Sequence, residues 1–150
     1  MEFGWINLFG GIIVVLVLLP SIVYALKKRV HDDNEKYIPN ILAACEQIGR
    51  YACMILMWFP LFIRKFGFGS TEELLLYFLL NGILIAAYYL GWARYLKEPS
   101  LKCGMMLAII PAAVFLVSGL LLNHWLLAAA AVLFGISHCR ITYITHSGKE

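Results

Sequence analysis

Apolar residues fall into five long runs separated by short polar breaks, over about 5–26, 40–63, 71–96, 101–121 and 125–143. A helix rises about 1.5 Å per residue and a hydrocarbon core is about 30 Å thick, so runs of about 20 apolar residues predict transmembrane helices. The pattern therefore predicts an all-α integral membrane protein: a five-transmembrane-helix bundle forming a single polytopic domain over residues 1–150.

The second run departs from uniform apolarity, because Glu46, Gln47 and Arg50 lie inside it. An ionisable side chain at the centre of a spanning helix costs roughly 2.5–3.5 kcal/mol if it faces lipid, so such groups turn toward protein or water. At about 100° per residue, Glu46, Gly49, Arg50, Cys53, Met57 and Pro60 share one stripe. Ile48, Tyr51, Ile55, Trp58, Phe59 and Phe62 share the opposite one. The first stripe is expected to face the bundle and the second to face lipid.

The other runs carry their own signals. Pro20 interrupts the first and frees a carbonyl one turn earlier, to be satisfied by Ser21 or a neighbouring helix. Ser70 followed by Glu73 predicts a capping box at the start of the third helix. Tyr77, Asn81, Ile85, Tyr88, Trp92 and Tyr95 then form a polar and aromatic stripe along it. Gly104, Ala108 and Ala112 in the fourth run, and Ala128, Ala131, Gly135, His138 and Thr142 in the fifth, form slim ridges that allow close helix packing. The tail from Thr145 to Glu150 is short and polar and is expected to fray.

Composition agrees with the pattern: 62% of residues are hydrophobic and 14% charged. A soluble domain would be nearer 45–50% apolar and about 25% charged. The net charge of +3 comes from bases at the ends of the runs. Lys27, Lys28, Arg29, Lys36, Arg94, Lys97, Lys102, Arg140 and Lys149 fall on one side of a five-span chain, Arg64 and Lys65 on the other, and Arg50 between them. By the positive-inside rule this asymmetry predicts an N-terminus outside and a cytoplasmic C-terminus, in a multi-pass protein of a cell membrane such as the bacterial cytoplasmic membrane.

Orientation also gathers residues by depth. Glu46, Tyr88, Trp92 and His138 are expected in the inner leaflet with Arg50 nearer the middle, whereas the outer half holds little beyond Asn7, Tyr77, Asn123 and His124. Glu46, Arg50, Asn81, Tyr88, Trp92 and His138 are therefore the candidate ligand-binding residues, in a cytoplasm-facing pocket between helices two, three and five. Glu46 and Arg50, four residues apart, are placed to form an ion pair.

Other chemistries find less support. His31, Asp32 and Asp33 are adjacent loop residues, and His138 beside Cys139 points two ways from a helix, so neither makes a spaced metal-ligand set. The four cysteines form no CxxC pair and read as buried small side chains. No catalytic residue, metal or cofactor is assigned, and no phosphate loop, nucleophile elbow or nucleic-acid module is present. The expected activity is binding, sensing or moving a small charged or amphipathic molecule. Two rivals stand beside it: an accessory or oligomerising subunit that docks on a larger membrane partner or on itself through the small-residue ridges, and a membrane-embedded enzyme acting on a lipid-like substrate with Glu46 or His138 as acid or base. The bilayer is the one partner the pattern requires.

Overall fold

The structure, a computed structural model, describes residues 6–28, 37–59, 61 and 68–147. Five helices account for nearly all of it: α1 (Leu8–Lys28), α2 (Asn40–Trp58), α3 (Thr71–Lys97), α4 (Leu101–Leu121) and α5 (Trp125–His146), with no strand among the described residues. Four of them, α1, α3, α4 and α5, are long and apolar enough to cross a membrane. α2 matches them in length but is less apolar, because Glu46, Gln47 and Arg50 lie within it. The chain is thus an all-helical bundle of the kind that membrane proteins form.

The ends of the helices follow local chemistry. α2 stops at Trp58 rather than running on to residue 63. Phe59 is extended there (φ −116°, ψ 121°), the conformation that a following proline imposes on its neighbour. α3 begins at Ser70, whose hydroxyl accepts from the Glu73 N–H at 3.2 Å. Glu73 reaches back one residue further than in the usual box and accepts from the Gly69 N–H at 2.7 Å. Ser100 caps α4 in the same way, and His124 caps α5 by accepting the Leu127 N–H on Nδ1. α5 continues to His146, three residues beyond the expected end at Tyr143. This last turn holds because Thr145 donates to the Ile141 and Thr142 carbonyls and the Ser147 N–H donates to the Tyr143 carbonyl, while residues 148–150 of the expected tail lie outside the described residues. The tight connection between α4 and α5 turns on Asn123, at φ 53°, a region where asparagine is several-fold enriched.

The helices form a closed ring. α5 lies between α2 and α4, α4 packs on α3, and α1 closes the circle by lighter contacts with α2 and α3. The small-residue ridges are used inside it. A Cβ on Gly119 would stand 2.8 Å from the Ala128 nitrogen, and one on Gly135 would stand 3.0 Å from the Ala112 Cβ. Ala112 of one ridge thus meets Gly135 of the other across the α4–α5 contact, and Ala128 meets Gly119 beside them. Gly49 does the same for α2, since a Cβ there would lie 2.8 Å from the Phe134 backbone nitrogen.

Helix faces sort as the stripes predict. In α2, Glu46, Gly49, Cys53 and Met57 are buried, Arg50 is half-buried, and Ile48, Tyr51, Ile55, Trp58 and Phe59 are exposed. In α3, Tyr77, Asn81, Tyr88 and Tyr95 are buried, with Ile85 and Trp92 half-buried beside them. Large exposed apolar side chains such as Leu75, Leu79, Ile83 and Leu90 cover the outside of α3. Pro20 leaves the Leu16 carbonyl without its helical donor, and the Tyr89 hydroxyl of α3 supplies one at 3.0 Å. His31, Asp32, Asp33, Pro60, Phe62, Arg64, Lys65 and Lys149 lie outside the described residues.

Candidate functional site

A cavity of about 340 Å³ runs inside the ring, lined by residues of all five helices. α1 contributes Ser21 and Tyr24, α2 Arg50 and Met54, and α3 Tyr88, Trp92 and Tyr95. α4 adds Gly104, Leu107, Ala108, Pro111 and Phe115, and α5 adds Phe134, His138, Thr142 and His146. The pocket expected between helices two, three and five is therefore broader: α1 and α4 build as much of its wall. It occupies the end of the bundle where α1, α3 and α5 finish and α2 and α4 begin, and it reaches inward to Arg50. At about 1.5 Å per residue, Arg50 stands about 15 Å along α2 from Asn40.

The polar wall is a three-residue cluster. Arg50 donates from Nη2 to Glu46 Oε1, the ion pair that a four-residue spacing permits. His138 of α5 brings Nδ1 to 3.2 Å from the same carboxylate oxygen. Glu46 itself is 4% exposed and stands behind the other two rather than in the lining. It pairs with the guanidinium and lies beside the imidazole, whose buried Nδ1 has no hydrogen-bond partner among the described residues, and both side chains line the space. Phe134 serves both: Arg50 Cζ lies 6.0 Å from its ring centroid, and the His138 ring stacks on it at 5.0 Å with a 21° interplanar angle. Gly49 makes this possible, since the close approach of α2 to the Phe134 backbone sets the register of the two helices.

The opposite wall is aromatic. Tyr24, Trp92 and Tyr95 touch one another with ring centroids 5.0–5.8 Å apart, in the tilted and edge-on geometries that ring quadrupoles favour. Tyr88 is tied to α1 by a 2.7 Å hydrogen bond with Ser21. Tyr95 bonds His146 Nε2 at 2.8 Å. His146 Nδ1 lies 2.9 Å from the Thr142 carbonyl, which can only accept. The ring therefore carries its proton on Nδ1, and Tyr95 donates to Nε2.

Of the six candidate residues, Arg50, Tyr88, Trp92 and His138 line the cavity, and Glu46 supports two of them from behind. Asn81 lies elsewhere. Its amide donates to the Tyr77 carbonyl at 2.9 Å and accepts from Ser118 at 3.2 Å, in a buried cluster toward the other end of the ring. That end buries Asn7, Tyr77 and His124, the groups expected there, together with Asn81 and Ser118. Sequence reasoning did not place Ser21, Tyr24, Thr142 or His146 in the site, although Ser21 stood beside the Pro20 break and Thr142 on the ridge of the fifth run. A signal existed for the last: His138, Thr142 and His146 recur every four residues, one step past the assumed end of the helix. Among the described residues, no group of three His, Cys, Asp or Glu side chains is placed to hold a metal ion.

No protein-family model, curated protein or solved structure matches the chain. What it does must be argued from the site.

Proposed function

We propose that this is a five-span membrane protein, N-terminus outside and C-terminus cytoplasmic, that binds a small charged or amphipathic molecule in the cavity for transport, sensing or handover. The observation that carries this reading is an arginine on the wall of a cavity that α2 shares with four helices of spanning length. A guanidinium at such depth needs company, and Glu46 on one side with open space on the other gives it both a partner and a face to offer. α2 counts as the fifth span because its exposed stripe from Ile48 to Phe59 is apolar and its charges turn inward. The lining also has the make-up of a small-molecule site: mostly apolar and aromatic, with a few convergent polar groups, at the low end of the roughly 300–1,000 Å³ that such sites occupy. The bases near the mouth, Arg94, Lys97, Lys102 and Arg140, give the cavity a cytoplasmic opening under the positive-inside rule.

Cysteine accessibility tests the reading. In a chain whose four native cysteines are replaced by alanine, Thr142→Cys is expected to react with a membrane-impermeant maleimide in inside-out vesicles and not in right-side-out ones. Ile136→Cys, on the 64% exposed outer face of α5, is expected to react in neither. A Thr142→Cys thiol silent from both sides, or labelled from outside, overturns the proposal.

A further inference from the structure

The cavity wall carries a full positive charge and no acid. Its lining includes Arg50, His138 and His146 but neither Asp nor Glu, and the carboxylate that balances Arg50 is buried behind it. Arg50 gives Glu46 its Nη2 donor and lines the cavity, which leaves further N–H donors of the fork for a ligand. A planar fork of N–H donors on a wall otherwise built from Met54, Leu107, Pro111, Phe115 and Phe134 suits a carboxylate joined to an apolar body. At about 30 Å³ per water-sized group the space holds roughly eleven such groups, which bounds that body to a short chain or a single ring.

Charge balance adds a second element. Arg50 and Glu46 cancel, so the ion pair adds no net charge to the site. A carboxylate arriving on Arg50 leaves one surplus negative charge in surroundings that stabilise charge poorly. One proton restores neutrality, and His138, beside Glu46 and open to the cavity, is the group placed to take it. Facing it are Glu46 and Arg50 from α2, Tyr88 and Tyr95 from α3, Tyr24 from α1 and His146 two turns along α5, while α4 gives the lining no titratable side chain.

We propose that the cavity takes an apolar monocarboxylate together with one proton, the carboxylate on the Arg50 guanidinium and the proton on His138. This rests on the ligand-binding reading above and names its chemistry. The proton comes from water and leaves with the acid, so each cycle moves or holds the equivalent of one neutral acid.

The full chain in nanodiscs, labelled with 5-fluorotryptophan, reports occupancy through the Trp92 resonance, assigned by its loss in Trp92→Phe. 3-Phenylpropionate, close to the size limit, is expected to shift that resonance, with 3-phenylpropanol and 3-phenylpropylamine at least tenfold weaker. Calorimetry in buffers of different ionisation heat, at about pH 8 where a free imidazole is neutral, is expected to count one proton taken up per acid bound. The charge-balanced double variant Glu46→Gln/Arg50→Gln, checked for helix content, is expected to lose acid binding tenfold or more. His138→Gln is expected to bind the acid more weakly and without proton uptake. Palmitate, too long for the cavity, is expected to leave the Trp92 resonance unmoved in the same discs, and a palmitate shift equal to that of 3-phenylpropionate overturns the proposal. Amine or alcohol binding equal to acid, acid binding without a proton, or silence from every acid overturns it. The aqueous cavity itself stands or falls separately on Thr142→Cys labelling.

Discussion

The two ends of the ring bury similar numbers of polar groups and use them in opposite ways. At the end where α2 gives way to α3 and α4 to α5, they are packed into the helix contacts and bond mainly to backbone groups, with Ser118 also donating to the Asn81 side chain. Asn7 caps α1 through its side chain and donates its own N–H to the Trp58 carbonyl at 2.8 Å. Asn81 bridges Tyr77 to Ser118, and His124 caps α5. Tyr77, fully buried, packs on Phe68 at 5.0 Å and Phe78 at 5.7 Å. At the other end, Arg50, His138, Tyr88 and Tyr95 are tied down on one side and leave another side to a void. The lesson is that burial alone does not mark a site. A closed polar cluster locks helices together, whereas a cluster held from behind and open in front presents chemistry.

If that contrast is right, the largest effect comes from unbalancing the open end. Arg50→Ala strands Glu46, 4% exposed, without its cation, and is expected to cost about 3 kcal/mol or prevent folding. Glu46→Gln/Arg50→Gln, which removes both charges, is expected to cost well under half of that. Reversible unfolding in mild detergent compares them, and equal losses would mean that the pair is not an isolated ionic unit.

Next comes the contact that aligns the two walls. Gly49→Val drives a side chain into the Phe134 backbone and is expected to cost about 1–3 kcal/mol, since a backbone cannot yield as a flexible side chain can. It should also weaken any ligand response at Trp92, because Phe134 supports both Arg50 and His138. A Gly49→Val protein with unchanged stability would break the picture of α2 pinned against α5.

Smaller effects are expected at the closed end. Asn81→Ala breaks the bridge between Tyr77 and Ser118 and is expected to cost about 1 kcal/mol, while Ser118→Ala costs about 0.6 kcal/mol, the usual scale for a hydrogen bond between membrane helices. Neither should alter accessibility at Thr142. A change in cysteine labelling there would show that the two ends communicate.

The smallest effect is a pH dependence at the cap of α5. Burial holds the His124 imidazole below its ordinary value of 6.5, and Nδ1 must stay unprotonated to accept from Leu127. The unfolded chain therefore binds a proton that the folded one resists. Stability is expected to be level above that ordinary value and to fall as pH drops below it. In His124→Asn, which caps through an oxygen, this part of the slope should vanish. A slope unchanged in that variant would assign the effect to another group.

Much of the architecture was legible because membrane helices expose their logic in the residue pattern. Charges within α2 had to turn inward, so its buried face could be read from Glu46 and Arg50 alone. The stripe from Tyr77 to Tyr95 was equally visible, and the small residues of α4 and α5 announced a close contact. Their partner was not legible: the ridges meet each other, and nothing in their spacing distinguishes that from docking on another chain. Asn81 shows the same limit within the site. It shares a stripe with Tyr88 and Trp92, yet the stripe runs through both ends of the ring, and only neighbouring helices decide which positions meet packed atoms and which meet space.

Sequence alone thus determined the approximate extent of the helices and the inward face of each polar one, and allowed Glu46 and Arg50 to pair, because 3.6-residue periodicity and the cost of a charge in hydrocarbon act locally. Tertiary structure decided that His138 joins Glu46, that Tyr89 repairs the Pro20 break, that α1 and α4 complete the wall, and that the void lies at one end. Those outcomes depend on how five separately formed helices are rotated and spaced against one another. Such rotation and spacing arise from the sum of many side-chain contacts between distant segments, which no single stretch of the chain contains.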